Sequence, residues 1–163
     1  MNKSIDKNNV DEFISDHFVD GLTQKDNRQI IKWKGNWLVA DVKNQPNYIF
    51  VYGDNDLRRG KGGQAIIRDL PNTIGLRTKR MPSLSDNAFY TDQEFSQNKI
   101  KIDEDIAKIK DCLQNGKIVV FSQGGYGTGL AKLDQKAPQT FQYLQDKLSE
   151  LERMYTVGKE KNL

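Results

Sequence analysis

The chain has 163 residues, 29% charged and 36% hydrophobic, with a formal net charge of +3, which suits one domain with its own core and leaves no room for two ordinary ones. No apolar run approaches the roughly eighteen residues of a membrane span, and the mixed-charge N-terminus is not a signal peptide, so the chain reads as soluble and cytoplasmic. One cysteine, Cys112, and one histidine, His17, exclude a disulfide framework and a cysteine-rich zinc site, and no cofactor or metal is expected.

Val10, Phe13, Ile14, Phe18 and Val19 recur at helical spacing and predict a short amphipathic helix over residues 9–19. Residues 29–33 and 37–40 flank Lys34, Gly35 and Asn36, a β-hairpin pattern with glycine in the turn. Trp33 and Trp37 then either cover a small sheet or stack on a base. After Pro46, residues 48–52 form a continuous apolar run, the pattern of a strand buried on both faces. Residues 64–68 read as the first turns of a helix that Pro71 stops, and 74–78 as another short strand.

Residues 82–98, with proline, serine, aspartate and scattered aromatics, read as a long connection or flap. Ile100, Ile102, Ile106, Ile109 and Leu113 lie near helical spacing within residues 97–114, and Asn115 and Gly116 stop that helix. Cys112 on it reads as a structural residue. A strand over 118–121 and a helix over 138–154 complete the pattern. The expected fold is α/β, a three-layer α/β/α sandwich with a mixed central sheet, plus the N-terminal helix and hairpin. Residues 1–47 form the extension, 48–155 the core and 156–163 a frayed tail.

Glycine and charge are unevenly placed. Of thirteen glycines, four fall within residues 53–63 and four within 124–129, each group following an apolar strand. Bare backbone N–H groups in such turns can close around a phosphate, and ligands of open α/β sheets sit beyond the carboxyl ends of strands. Residues 57–80 hold Arg58, Arg59, Lys61, Arg68, Arg77, Lys79 and Arg80 against one acid, Asp69. Such a cluster beside a glycine loop suits a multiply charged anion; a solvated basic face or a nucleic-acid surface is the alternative.

The loops do not follow the commonest phosphate motifs. A P-loop needs GxxxxGK followed by serine or threonine, whereas six residues separate Gly53 from Gly60 and Gly62 follows Lys61. Gly60, Gly62 and Ala65 satisfy G-x-G-x-x-A, but the pattern begins well after its strand and no acid ends a second strand about twenty residues on.

The order strand, Gly53-Asp54-Asn55, a basic turn Gly60-Lys61-Gly62-Gly63-Gln64-Ala65, and later a strand with Gly124-Gly125-Tyr126-Gly127-Thr128-Gly129-Leu130 resembles the macro domain and its shorter relatives. That resemblance implies a site for ADP-ribose or a related phosphorylated nucleotide. It implies Asn55 beside the distal ribose, close backbone approach at Gly62 and Gly63, a diphosphate wrapped by residues 124–130, and Tyr126 against a ribose or base. Arg59 and Lys79 supply charge neutralisation. Some such domains hydrolyse ADP-ribosyl bonds, and Asp54 and Asp56 are then the candidate carboxylates for positioning water. Asp54 alternatively holds loop N–H groups, as aspartates in turns do. Without hydrolysis, the expected role is a non-enzymatic binder that sequesters a nucleotide immune signal. The Asp54-Asn55-Asp56 segment and the Arg58-Arg59 pair depart from the asparagine-rich macro-domain loop.

Overall fold

The computed structural model describes residues 29–157. Four strands, β1 (Ile30–Trp33), β2 (Tyr48–Asn55), β3 (Thr73–Lys79) and β4 (Ile118–Ser122), form one sheet in the order β1-β4-β2-β3. Every pairing is parallel: β1 with β4, β4 with β2, and β2 with β3. The expected mixed sheet is therefore corrected to a parallel one.

The expected hairpin is also absent. Lys34, Gly35 and Asn36 do turn the chain, but the residues beyond them enter a short helix, α1 (Val39–Lys43), and β1 takes its partner from the far end of the sequence. The amphipathic pattern over 9–19, His17 and most of the expected tail lie outside the described residues.

Side chains alternate across the strands and build two clusters. Ile30, Ile49, Val51, Leu76, Val119 and Phe121 face the helices α2 (Phe95–Gln114) and α4 (Pro138–Glu152), meeting Ile102, Ile106, Ile109, Leu144, Leu148 and Leu151. Ile31, Trp33, Tyr48, Phe50, Tyr52 and Val120 face the other way, against Trp37, Val42 of α1, and Ala65 and Ile67 of a 3-10 turn (Gly63–Ile67). Both tryptophans are buried and pack edge-on to Phe50, with ring centroids at 5.9 Å. They are core residues, so neither stacks on a base.

This division follows from connectivity. The chain moves from β1 to β2 to β3 in one direction across the sheet and returns from β3 to β4, and right-handed crossovers place outward and return connections on opposite faces. Packing adds the last segment: β2 runs into the 3-10 turn on one face, while β4 leads to α4 on the other, so the segments leaving these two strands diverge. A crevice opens between the carboxyl ends of these neighbouring strands, the usual ligand position in an open α/β sheet.

Residues 82–98 split into two parts. Residues 82–87 are exposed, whereas Ala88, Phe89 and Tyr90 are buried, and Asp92 accepts hydrogen bonds from Gln139 N and Thr140 N at the start of α4. The aspartate meets the electropositive first turn of a helix and fixes the end of the connection.

Candidate functional site

A cleft of about 770 Å³ lies over the carboxyl ends of the strands. Its wall includes Gly53, Asp54, Asn55, residues 59–64, Lys79 and residues 124–130. Every binding residue expected from the sequence thus faces one cavity. Gly62 and Gly63 lie against the second loop, where an added Cβ would meet the Leu130 side chain at 3.8 and 3.6 Å. Asp56 is outside this wall; its carboxylate accepts from the Tyr90 hydroxyl at 2.5 Å and pairs with Lys101 at 2.6 Å.

Gln64 ties the two loops together. Its Oε1 accepts from Gly53 N at 2.7 Å, its Nε2 donates to Gly125 O at 3.2 Å, and its own carbonyl accepts from Trp37 Nε1 at 3.0 Å. The side chain expected to touch ligand lines the cleft and also acts as a strut across it. The N–H groups of Gly60, Lys61, Gly62, Gly127 and Thr128, all residues of the cleft wall, donate to no other described residue.

Beneath the first loop lies a charge network. Asp54, with no exposed side-chain surface, pairs with Arg68 Nη2 at 2.6 Å and Arg58 Nη1 at 2.9 Å and accepts from Asn55 N at 2.8 Å. Asp105 of α2, equally enclosed, takes Arg58 Nη2 at 2.8 Å and Arg77 Nε at 3.0 Å. Arg58 also donates to Gly75 O, and it holds φ of 54°, a conformation that costs a non-glycine residue of order 1–3 kcal/mol. Charge-assisted hydrogen bonds of about 1.5–3 kcal/mol each offset that cost. Gly75 leaves room for this arrangement: an added Cβ would lie 2.3 Å from Asp54 Oδ2.

Asn55 is likewise occupied. Its Oδ1 accepts from Leu57 N and its Nδ2 donates to Arg59 O, closing the turn after β2. The side chain read as a ribose contact shapes the loop that carries Arg59.

The second loop is held by packing and by a tyrosine. Tyr126 is 3% exposed; its hydroxyl donates to Val51 O at 2.6 Å and accepts from Ser122 N at 2.8 Å, joining β4 to β2. Burial pushes its phenol well above the ordinary tyrosine range, so it stays protonated and able to donate. It supports the loop from below. Gly127 has φ of 95°, and a Cβ there would meet Leu133 at 3.0 Å and Phe141 at 3.2 Å. Only glycine satisfies both the turn and the close approach.

Within residues 57–80, pairing sorts the seven cations. Arg58, Lys61, Arg68, Arg77 and Arg80 pair with Asp54, Asp105, Asp69, Glu104 or Glu94. Arg59 and Lys79 have no acidic partner among the described residues, and both line the cleft. Most of the basic segment is thus internally neutralised, which removes the main motive for reading a nucleic-acid surface.

Lys79 is 8% exposed. Burial, followed by the nearby charge of Lys132, lowers its pKa below the usual lysine value. An irregularity in register places it: Asp54 pairs with Arg77 but Asn55 with Lys79, so Thr78 is an extra residue on β3. Such bulges re-aim side chains, and Thr78 and Lys79 both reach the cleft.

The sequence reading also omitted Gly35 and Asn36 after β1, Thr78 in the bulge, and Ser122 and Gln123 at the end of β4. Recognising β1 as a member of this sheet would have found the first two, since all four carboxyl ends then converge. Pro82, Ser83 and Leu84 of the exposed connection also line the cleft.

The match to known families covers this same assembly. A model for a family of unknown function, DUF7831, aligns with residues 32–147, from within β1 to within α4. The chain belongs to this family. Both glycine loops and the charge network fall inside the matched DUF7831 region. No curated protein and no solved structure matches the chain. Among the described residues, no helix is long and apolar enough to cross a membrane.

Proposed function

We propose that the cleft binds the diphosphate of ADP-ribose or a closely related nucleotide and holds it without cleaving it. The observation that carries this reading is the convergence of two glycine loops on one cavity whose wall contains Arg59 and Lys79, the cations of residues 57–80 with no acidic partner among the described residues. A diphosphate needs many donors at short range together with positive charge, and such a wall offers both. The exposed side chains of Leu84 and Leu130 give the same cavity an apolar edge suited to a base.

The macro-domain resemblance of the loops contributes the ligand class, and this reading treats the sheet with its two covered faces as a macro-like three-layer arrangement. Hydrolysis receives less support. Asp54 is enclosed and engaged by two arginines, and Asp56 is held by Tyr90 and Lys101 outside the cleft wall. Retention without turnover fits a protein that sequesters a nucleotide signal.

Native mass spectrometry of the full chain with ADP-ribose, NAD, ADP, AMP and inorganic pyrophosphate tests this. A one-to-one adduct with ADP-ribose, and intact ligand recovered after denaturation, are expected. Failure of every nucleotide to bind overturns the ligand assignment, and recovery of cleaved ligand overturns the non-enzymatic one.

A further inference from the structure

Phe89 carries an unusual set of neighbours. It is 3% exposed and forms an isolated antiparallel bridge with Lys79. Three ammonium groups surround its ring, with Lys79 Nζ at 5.0 Å, Lys136 Nζ at 5.4 Å and Lys132 Nζ at 5.8 Å from the centroid. None of the three has an acidic partner among the described residues. An aromatic face attracts each cation separately but does nothing to relieve their mutual repulsion.

The arrangement is built from separate parts of the chain. The bulge on β3 supplies Lys79, and the second glycine loop runs directly into Lys132, which holds φ of 47°. A short helix, α3 (Leu133–Lys136), then brings Lys136 back to the same side, four residues on. Lys79 also lines the cleft, so the cluster is continuous with the proposed nucleotide site.

We propose that Lys79, Lys132 and Lys136 form a second anionic subsite at the edge of the cleft, taking a phosphate monoester carried by the ligand in addition to its diphosphate. A phosphate monoester is close to doubly charged and offers three terminal acceptor oxygens. Three ammonium groups match it in number, and their flexible stems allow them to converge without the fixed planar fork of arginine. An anion at this point would replace repulsion among the lysines with attraction to a common centre. This inference rests on the nucleotide reading for the identity of the whole ligand, but the lysine cluster is testable by itself.

Calorimetric titration of the full chain separates the two. The probes are ADP-ribose, ADP-ribose with a phosphate monoester on its distal ribose, ADP-ribose with one on the adenosine 2′-hydroxyl, and inorganic phosphate. The wild type should bind one of the phosphorylated forms about tenfold more tightly than ADP-ribose, the scale of a charge-assisted contact. The Lys132→Gln/Lys136→Gln variant should lose that preference while its ADP-ribose affinity stays within about twofold, and Lys132→Arg/Lys136→Arg, which keeps the charge but not the compact ammonium, should restore part of it. Circular dichroism of both variants checks that they fold.

No preference in the wild type, or a preference that survives in the glutamine variant, sinks the subsite and leaves the diphosphate reading standing. Binding of inorganic phosphate that the glutamine variant loses, with no nucleotide bound by either protein, keeps the subsite and overturns the nucleotide. If neither phosphate nor any nucleotide binds, both fall.

Discussion

The two loops of the cleft face each other but are held by different physics. The first rests on buried charge: Asp54 and Asp105 grip Arg58, Arg68 and Arg77, and Arg58 accepts a left-handed backbone to remain in that grip. The second rests on contact and one hydroxyl, with Gly127 pressed against Leu133 and Phe141 above the buried Tyr126. Charge fixes direction because donors and acceptors must align, whereas close packing fixes separation because atoms resist overlap. A pocket built from one of each therefore has two independent ways to fail.

The largest expected effect is on the charged side. Asp105→Ala removes the carboxylate that Arg58 and Arg77 share; each keeps a second acidic partner, Asp54 or Glu104, so the loss is that of two charged hydrogen bonds, about 1.5–3 kcal/mol each. A fall in Tm on the order of 10 °C should follow in thermal denaturation. An unchanged Tm would show that packing alone holds both loops. Gly127→Ala probes the packed side. The positive φ and the contacts at 3.0–3.3 Å together predict a loss of roughly 2–4 kcal/mol in denaturant unfolding. If stability instead stays within about 0.5 kcal/mol of wild type, the second loop adjusts more freely than this comparison allows.

The smallest effect has the opposite sign. Lys79 has a lowered pKa, so the unfolded chain binds its proton more readily than the folded one, and this residue's contribution to stability falls as pH drops from the ordinary lysine value through the depressed one. Lys79→Met should therefore raise Tm at neutral pH and flatten its dependence on pH on the alkaline side. The same change should weaken nucleotide binding by about tenfold or more, since a charge-assisted contact is lost. A drop in Tm with binding intact would make Lys79 a structural residue.

How much of this was legible in the sequence depends on the range of the interaction. Glycine density after two apolar strands marked both loops, and the helical spacing over residues 97–114 anticipated α2, because those signals are local. Lys34-Gly35-Asn36 suggested a hairpin for the same reason, since it is a good turn, but β1 pairs with β4 across most of the chain and no short-range pattern reports that. Asp54 looked like a loop acid because no short-range pattern reports that Arg58 and Arg68 fold back onto it. One clue was present: Asp105 falls on the apolar stripe between Ile102 and Ile109, where a charge needs a partner.

Gln64 carries a last consequence. A carboxamide presents one acceptor and one donor, and here the oxygen holds the end of β2 while the nitrogen holds the opposite loop. The gap between the walls is set in advance by the reach of a single neutral side chain. Less disorder then has to be frozen out when a guest arrives. Glutamate, nearly the same shape, would keep the first grip and turn the second into repulsion between two oxygens.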